Sequence, residues 1–465
     1  MVRMLIAAGA DVNLGTSEGM TPLAATCGDD ELVRLLMEAG ATISRASPAN
    51  RPLLIELMGR PPLRESQEAG ILRLIAGGAD VNAADRYGHT PLKQACSLGA
   101  GRLVAALLEY GARRVGALHE GPNDPPPELH CAASGGDPRS IQLLLRDGAD
   151  LTEVDHASRT PLYVASMNGR AEAIRVLLAA GANPNAGRER GRSALRAAAY
   201  YGHDECVSLL LEAGADVDAE TTGEVTALHL ASLMRRLKVV PLLLRAGANA
   251  DARDADGGTP LMWALRIRGE RPRIFQRVAD TVELLLAAGA DPLATDHQGQ
   301  SALFDAARSG FVNEIRRLIA LGLDVNAAAH DGLTPLMAAA FERGTATRAA
   351  EALLAERASV NAVDRSGSSA LHWVLTRHEP PEPMSPYWNP ASLWPGPMLK
   401  VLLNAGADVN HANANGQTPL MLAAQNQDDD LVSPLLRAGA DPMARDLEGR
   451  TARDYAQTAG GAWPQ

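Results

Sequence analysis

With 465 residues the chain has the length of about three globular domains, and its 46% apolar content is ample for burial. Aromatic residues make up only 3%, so the core must be built from Leu, Ala, Val and Ile, side chains that suit closely stacked helices. The formal charge is −11, from 44 basic and 55 acidic residues with no basic tail, which argues against a nucleic-acid binder.

The chain opens on Met1-Val2-Arg3-Met4-Leu5-Ile6-Ala7-Ala8, which lacks a signal-peptide core and cleavage site and runs into Gly9-Ala10-Asp11. An apolar helix ending in Gly-Ala-Asp, followed by a Val-Asn-like pair, then returns at Gly40, Gly78, Gly111, Gly148, Gly181, Gly214, Gly247, Gly289, Gly322, Arg357, Gly406 and Gly439. Six of the twelve intervals are 33 residues, so the period is real. Residues 1–10 read as a partial unit, a second helix without its first, whose Leu5 and Ile6 face an unfilled interface. Either further sequence precedes Met1, or this end frays or self-associates.

Twelve residues after most of these glycines comes a helix start, as in Thr90-Pro91-Leu92, Thr160-Pro161-Leu162, Thr226-Ala227-Leu228-His229, Thr259-Pro260-Leu261, Thr334-Pro335-Leu336 and Thr418-Pro419-Leu420. A Thr hydroxyl accepts an otherwise unpaired amide hydrogen there, and proline at the first helical position loses no partner. Between the two phrases lie Asp-x-x-Gly turns such as Asp85-Arg86-Tyr87-Gly88, and Ser158 replaces the glycine in one of them.

The 33-residue period and the Thr-Pro-Leu-His-type opening resemble ankyrin repeats over essentially the whole chain. The resemblance implies an all-α solenoid of stacked helix-turn-helix units joined by β-turn or hairpin loops. About twelve full repeats would form a single array over 1–465. The unit at 41–78 is degenerate, lacking the Asp-Gly turn and carrying Pro61-Pro62. Insertions are expected between helices at about 268–280 and at 379–397, the second rich in Pro and containing Tyr387, Trp388 and Trp394. Residues 446–465 read as a half-repeat that caps the end.

No catalytic constellation outweighs its structural explanation. His130, His229 and His372 stand at the fourth position of the helix opening, where a structural hydrogen bond accounts for them. Asp251, Asp254 and Asp256 before Gly257 suggest a calcium loop only faintly, because the bidentate Glu is missing, and a turn is the better reading. Cys27, Cys96, Cys131 and Cys206 have no paired or metal-type spacing and read as buried thiols of a reducing compartment, which points to the cytoplasm. No cofactor or metal is expected, no apolar run is long enough to span a membrane, and the chain reads as no enzyme.

Ankyrin arrays bind protein partners on turn tips and first-helix surfaces, so the resemblance implies a partner protein, of unstated identity, held in a concave groove. Carried over residue by residue, the tips supply Arg86, Tyr87, His156, Arg190 and Arg192. The ends of first helices supply Leu98, Met167, Asn168, Tyr200, Tyr201, Leu233, Met234 and Ile267. Tyr and Arg are favoured anchors of interfaces. Two other readings stay open: recognition of the Pro- and Trp-rich insertion by another domain, and a regulatory or targeting array whose catalytic partner lies outside this chain.

Overall fold

In a computed structural model the described residues are 1–16, 20–26, 28–43, 52–59, 63–115, 125–187, 192–220, 223–266, 274–342, 346–376, 396–426 and 429–458. Among them the secondary structure is helical, with two isolated bridges, Thr295 to Ser301 and Val363 to Ser369, and no strands. The chain divides into two compact units, Met1–Thr222 and Gly223–Gln465.

Each unit is a stack of helix pairs. In the first, the pairs include Pro91–Ser97 with Gly101–Glu109, Glu128–Gly135 with Pro138–Arg146, Pro161–Met167 with Ala171–Ala179, and Ala194–Tyr201 with Asp204–Glu212. In the second they include Ala227–Leu233 with Val239–Arg245, Pro260–Leu265 with Ile274–Ala287, Ala302–Ser309 with Val312–Ala320, Pro335–Glu342 with Thr347–Ala355, and Pro419–Gln425 with Asp429–Arg437. First helices start as their sequence dictates: the Thr90 hydroxyl accepts from the Lys93 amide at 3.2 Å, and Thr160 serves Tyr163 at the same distance. The second helices bury a stripe of Leu, Ile and Val, such as Leu103 and Leu107, Ile174 and Leu177, or Ile315 and Leu318. That stripe has no cover within a single pair, so neighbours must stack.

The irregular units keep the same frame. Residues 41–78 still form two helices, Leu53–Met58 and Glu65–Ala76, while Pro61 and Pro62 lie outside the described residues. At the 268–280 insertion the second helix is lengthened backwards to begin at Ile274, and 267–273 lie outside. The helix after the 379–397 insertion starts at Gly396, with 377–395 outside. The initial helix, Val2–Ala7, buries none of its residues, and Leu5 is exposed.

In six repeats one side chain locks a turn to the next. The Asn82 amide donates to the Gly111 carbonyl at 3.0 Å and its oxygen accepts from the Arg113 amide at 2.7 Å. The same two bonds join Asn13 to Gly40 and Thr42, Asn185 to Gly214 and Asp216, Asn326 to Arg357 and Ser359, Asn361 to Gly406 and Asp408, and Asn410 to Gly439 and Asp441. Asp251 makes only the accepting half, from Asp291 N at 2.8 Å. In the second unit the turn tips add backbone bonds: the His297 amide donates to Asp256, His330 to Gln298, and Arg365 to Asp331, each at 2.8 Å.

Two outcomes follow. Asn410→Ala removes both bonds to the following turn and should lower stability by about 1 kcal/mol, with faster amide exchange at Gly439 to Asp441; exchange unchanged there would refute the bridge. Arg357 occupies the helix-ending glycine slot at φ 68°, a left-handed conformation strained for a residue with a Cβ. Arg357→Gly should therefore raise the melting temperature, by about 1 kcal/mol of stability, whereas a lower one would show the arginine to be needed.

Candidate partner-binding surface

The fourth position of each first helix ties one repeat to the next. His229 Nδ1 accepts from the Thr226 amide at 3.2 Å and lies 2.9 Å from the Thr226 hydroxyl, which leaves Nε2 to donate to the Gly258 carbonyl at 3.0 Å. His372 does the same between Ser369 and Gln417. Lys93 fills this slot, buried, with its Nζ donating to the Pro125 carbonyl at 3.3 Å. His130 Nε2 donates to Arg159 at 2.7 Å, but its Nδ1 is buried without a partner, because Pro127 stands at the cap and has neither hydroxyl nor N–H. These rings are committed to structure.

The other chemical candidates are committed as well. Asp254 is buried and accepts from the amides of Asp256 and Gly258 at 3.0 and 2.7 Å and from the Trp263 indole at 2.6 Å, a turn rather than a cation loop. Among the described residues no group of three or more His, Cys, Asp or Glu is placed to hold a metal ion. Cys96, Cys131 and Cys206 are buried free thiols; burial pushes Cys131 and Cys206 up to about 11 and raises Cys96 too, so all three resist forming thiolate. Cys27 lies outside the described residues.

The sequence-derived contact residues fall into local groups. Arg86 and Tyr87 are both exposed on one tip, with the guanidinium 4.6 Å over the ring. His156 is exposed on another, and half-buried Arg192 follows the tip of its own repeat, its amide bonded to the Gly187 carbonyl. Leu98 is half-buried at the end of its helix. Tyr200 and Tyr201 are 36% and 44% exposed and meet edge to face at 5.1 Å. Tyr201 stacks on His203, and His203 Nε2 reaches the Met167 carbonyl at 3.1 Å. That bond brings the tyrosine pair to the Met167–Asn168 end of the preceding first helix, where Asn168 is exposed. Leu233 and Met234 are half-buried at the corresponding helix end in the second unit. Arg190 and Ile267 lie outside the described residues.

Sequence reasoning missed what serves the carbonyl ends of these helices. Arg170 Nε donates to Ser134 at 2.8 Å, Asn426 Nδ2 to Leu375 at 2.6 Å, and Arg235 to both Leu233 and Arg266. Each donor sits near the start of a second helix, and for Arg170 and His203 the only signal was a polar residue one place beyond the glycine. It also missed the aromatic fifth position of the second unit, where Trp263, Trp373 and Tyr455 each donate to the turn Asp nine residues earlier.

Burial holds the imidazoles of His130, His229 and His372 below their ordinary 6.5. The unfolded chain then binds protons first, so the stability these neutral rings contribute is present above about pH 6.5 and is lost as pH falls below it. Asp305, pushed up to about 6 by burial, acts in the opposite sense in the second unit, so His130 gives the clearer reading. Going from about pH 7.5 to about pH 5.5 should speed amide exchange in Glu128–Gly135. Pro127→Thr, which offers Nδ1 a donor, should slow it at the higher pH by about 1 kcal/mol; flat behaviour in both would sink the assignment.

Two family models match the chain: ankyrin repeats (3 copies) over residues 129–221 and 274–364, and ankyrin repeats (many copies) over 210–262 and 402–456. Together they cover more than half of it. Human ankyrin repeat and SOCS box protein 16 is 32% identical over 151 residues, 24% of this chain and 33% of that protein. Human neurogenic locus notch homolog protein 1 is 33% identical over 146 residues, 31% of this chain and 5% of that protein. Human transient receptor potential cation channel subfamily A member 1 is 31% identical over 165 residues, 34% of this chain and 14% of that protein. The crystal structure of the human ASB11 ankyrin repeat domain aligns with a TM-score of 0.43 at 27% identity, covering 51% of this chain and 99% of that one. The chain thus spans a third or less of the length of these curated relatives.

Proposed function

The chain belongs to the ankyrin-repeat family, whose repeats are generally protein-interaction modules, and from that premise we propose that it is a non-catalytic scaffold holding a partner protein on its turn tips and first-helix ends. No described helix is long and apolar enough to cross a membrane. The three buried thiols support a reducing, cytoplasmic setting.

The observation that carries the reading is the group at the ends of Pro161–Met167 and Ala194–Tyr201. Two partly exposed tyrosines meet edge to face, and Tyr201 stacks on His203, whose Nε2 reaches the Met167 carbonyl at the end of the preceding first helix. Tyrosine offers a large amphipathic contact at low entropic cost, and the stacking here is formed before any partner arrives. Leu233 and Met234 supply the equivalent register on the second unit, and Arg86 with Tyr87 a ready cation–π pair on a tip.

A second reading is favoured by the relatives, since the segments that align with this chain are only 5% and 14% of the notch homologue and of the cation channel subfamily member. In that reading the repeats select the partner for a larger protein or complex whose catalytic or transport part lies elsewhere.

Tyr200→Ala with Tyr201→Ala is expected to weaken capture of the crosslinked partner by about tenfold or more while circular dichroism keeps its helical signal. Capture that survives this change but disappears on deleting 379–397 would transfer recognition to the Pro- and Trp-rich segment. Capture indifferent to both would remove the proposal.

A further inference from the structure

The second unit carries another candidate contact on its first helices, away from the sequence-derived residues. Successive first helices Pro260–Leu265, Ala302–Ser309, Pro335–Glu342 and Ala370–Leu375 pack on one another in order. Their fifth and eighth positions share a face and place Trp263 and Arg266, then Asp305 and Arg308, then Ala338 and Phe341, then Trp373 and Thr376 in succession.

The two arginines in this row differ. Arg266 is spent: it pairs with Asp305 at 3.4 Å, approaches Asp254 at 3.8 Å, and lies 5.6 Å over the Trp263 ring. Arg308 is half-buried and, among the described residues, has no hydrogen bond and no ion pair. Two carboxylates face its charge: Asp305, already held by Arg266, and Glu342 on the next helix, which is exposed. In the next repeats along the same face Phe341 and Trp373 meet at 5.6 Å, and the indole is fixed by its bond to Asp364 at 3.0 Å.

We propose that this face receives an acidic segment of a partner protein, with a carboxylate side chain seated on Arg308 and an adjacent apolar or aromatic side chain on Phe341 and Trp373. A guanidinium with unspent donors is matched bidentately by a carboxylate. A basic occupant would have to compete with Arg266 for Asp305 and would meet Arg308 on entry, so charge complementarity selects the acid. The proposal rests on the reading of first helices as the contact surface, but uses residues that reading does not.

The test uses the full chain and a random copolymer of glutamate and tyrosine as probe, with binding followed by tryptophan fluorescence at low salt. Arg308→Ala should lower affinity about tenfold, Arg308→Lys should retain part of it, and Glu342→Gln should tighten binding by relieving repulsion. Arg348→Ala, an exposed arginine on the second helix Thr347–Ala355, should change nothing. No copolymer binding, equal binding by wild type and Arg308→Ala, or an equal loss in Arg348→Ala would overturn the proposal. So would weaker binding in Glu342→Gln together with preference for a lysine–tyrosine copolymer, the signature of a basic occupant. Because Tyr200 and Tyr201 are untouched, failure here leaves the scaffold reading intact, and loss of capture in the tyrosine variant leaves this one intact.

Discussion

The structure depends on a side-chain amide that can donate and accept at once. In six repeats an asparagine places its nitrogen on the carbonyl of the next repeat's helix-ending residue and its oxygen on an amide two residues further on. No other side chain of that length offers both functions at that spacing. The substitutions show the logic. Asp251 keeps the accepting half and has no donor to give, while Leu293 in the same slot is exposed and makes neither bond. Because the bridge joins turn to turn, it does not sense how many residues lie between helices. Asn361 reaches Gly406 and Asp408 over a 45- and 47-residue separation with the same contacts that Asn410 makes over 29 and 31. Insertions are accommodated because they enter at the other end of the helix pair.

A second column of polar contacts runs through the fourth position of the first helices, and it commits the histidines there to structure. A buried imidazole is tolerable when both nitrogens are used, and His229 and His372 use both. A ring so held is neutral, immobile and out of reach of a substrate. His130 is the exception that identifies the requirement: the proline that suits the helix start there removes the donor its neighbour needs. Local helix chemistry and the inter-repeat network compete for one residue, and at Pro127 the helix start wins.

Much of this was legible because it is local and periodic. The Thr–Pro starts, the Asp–Gly turns and the 33-residue phase each carry their own physical reason, and the structural role of the histidines followed from their register. The asparagine of the Val–Asn pair was visible as a recurring letter, but its function was not, since its partners lie 29 and 31 residues away in another unit of the repeat. The division after Thr222 was hidden for a related reason: Gly214 to Gly247 is an undisturbed 33-residue interval, so the phase carries no mark of it. Of the proposed contact residues, Tyr200 and Tyr201 were reached by register alone. Arg308 could not be, because its interest lies in which neighbouring charges are already taken, and that depends on Arg266 in the preceding repeat.

On the proposed reading, recognition and stability draw on separate positions in such a stack. Carbonyl ends of first helices, which would otherwise need water, are served by Arg170, His203 and Asn426 from the following repeat, so the surface around them is ordered before binding. Side chains standing on that surface, Tyr201 and Arg308 among them, make few bonds that the fold requires. A change at these positions should cost little stability and, on the proposed reading, alter contact chemistry directly. A change at Asn410 or His229 does the reverse. The same separation explains why the fold identifies the class of function and is silent on the partner: the residues that repeat are the ones that stack, and the residues that choose are the ones that do not repeat.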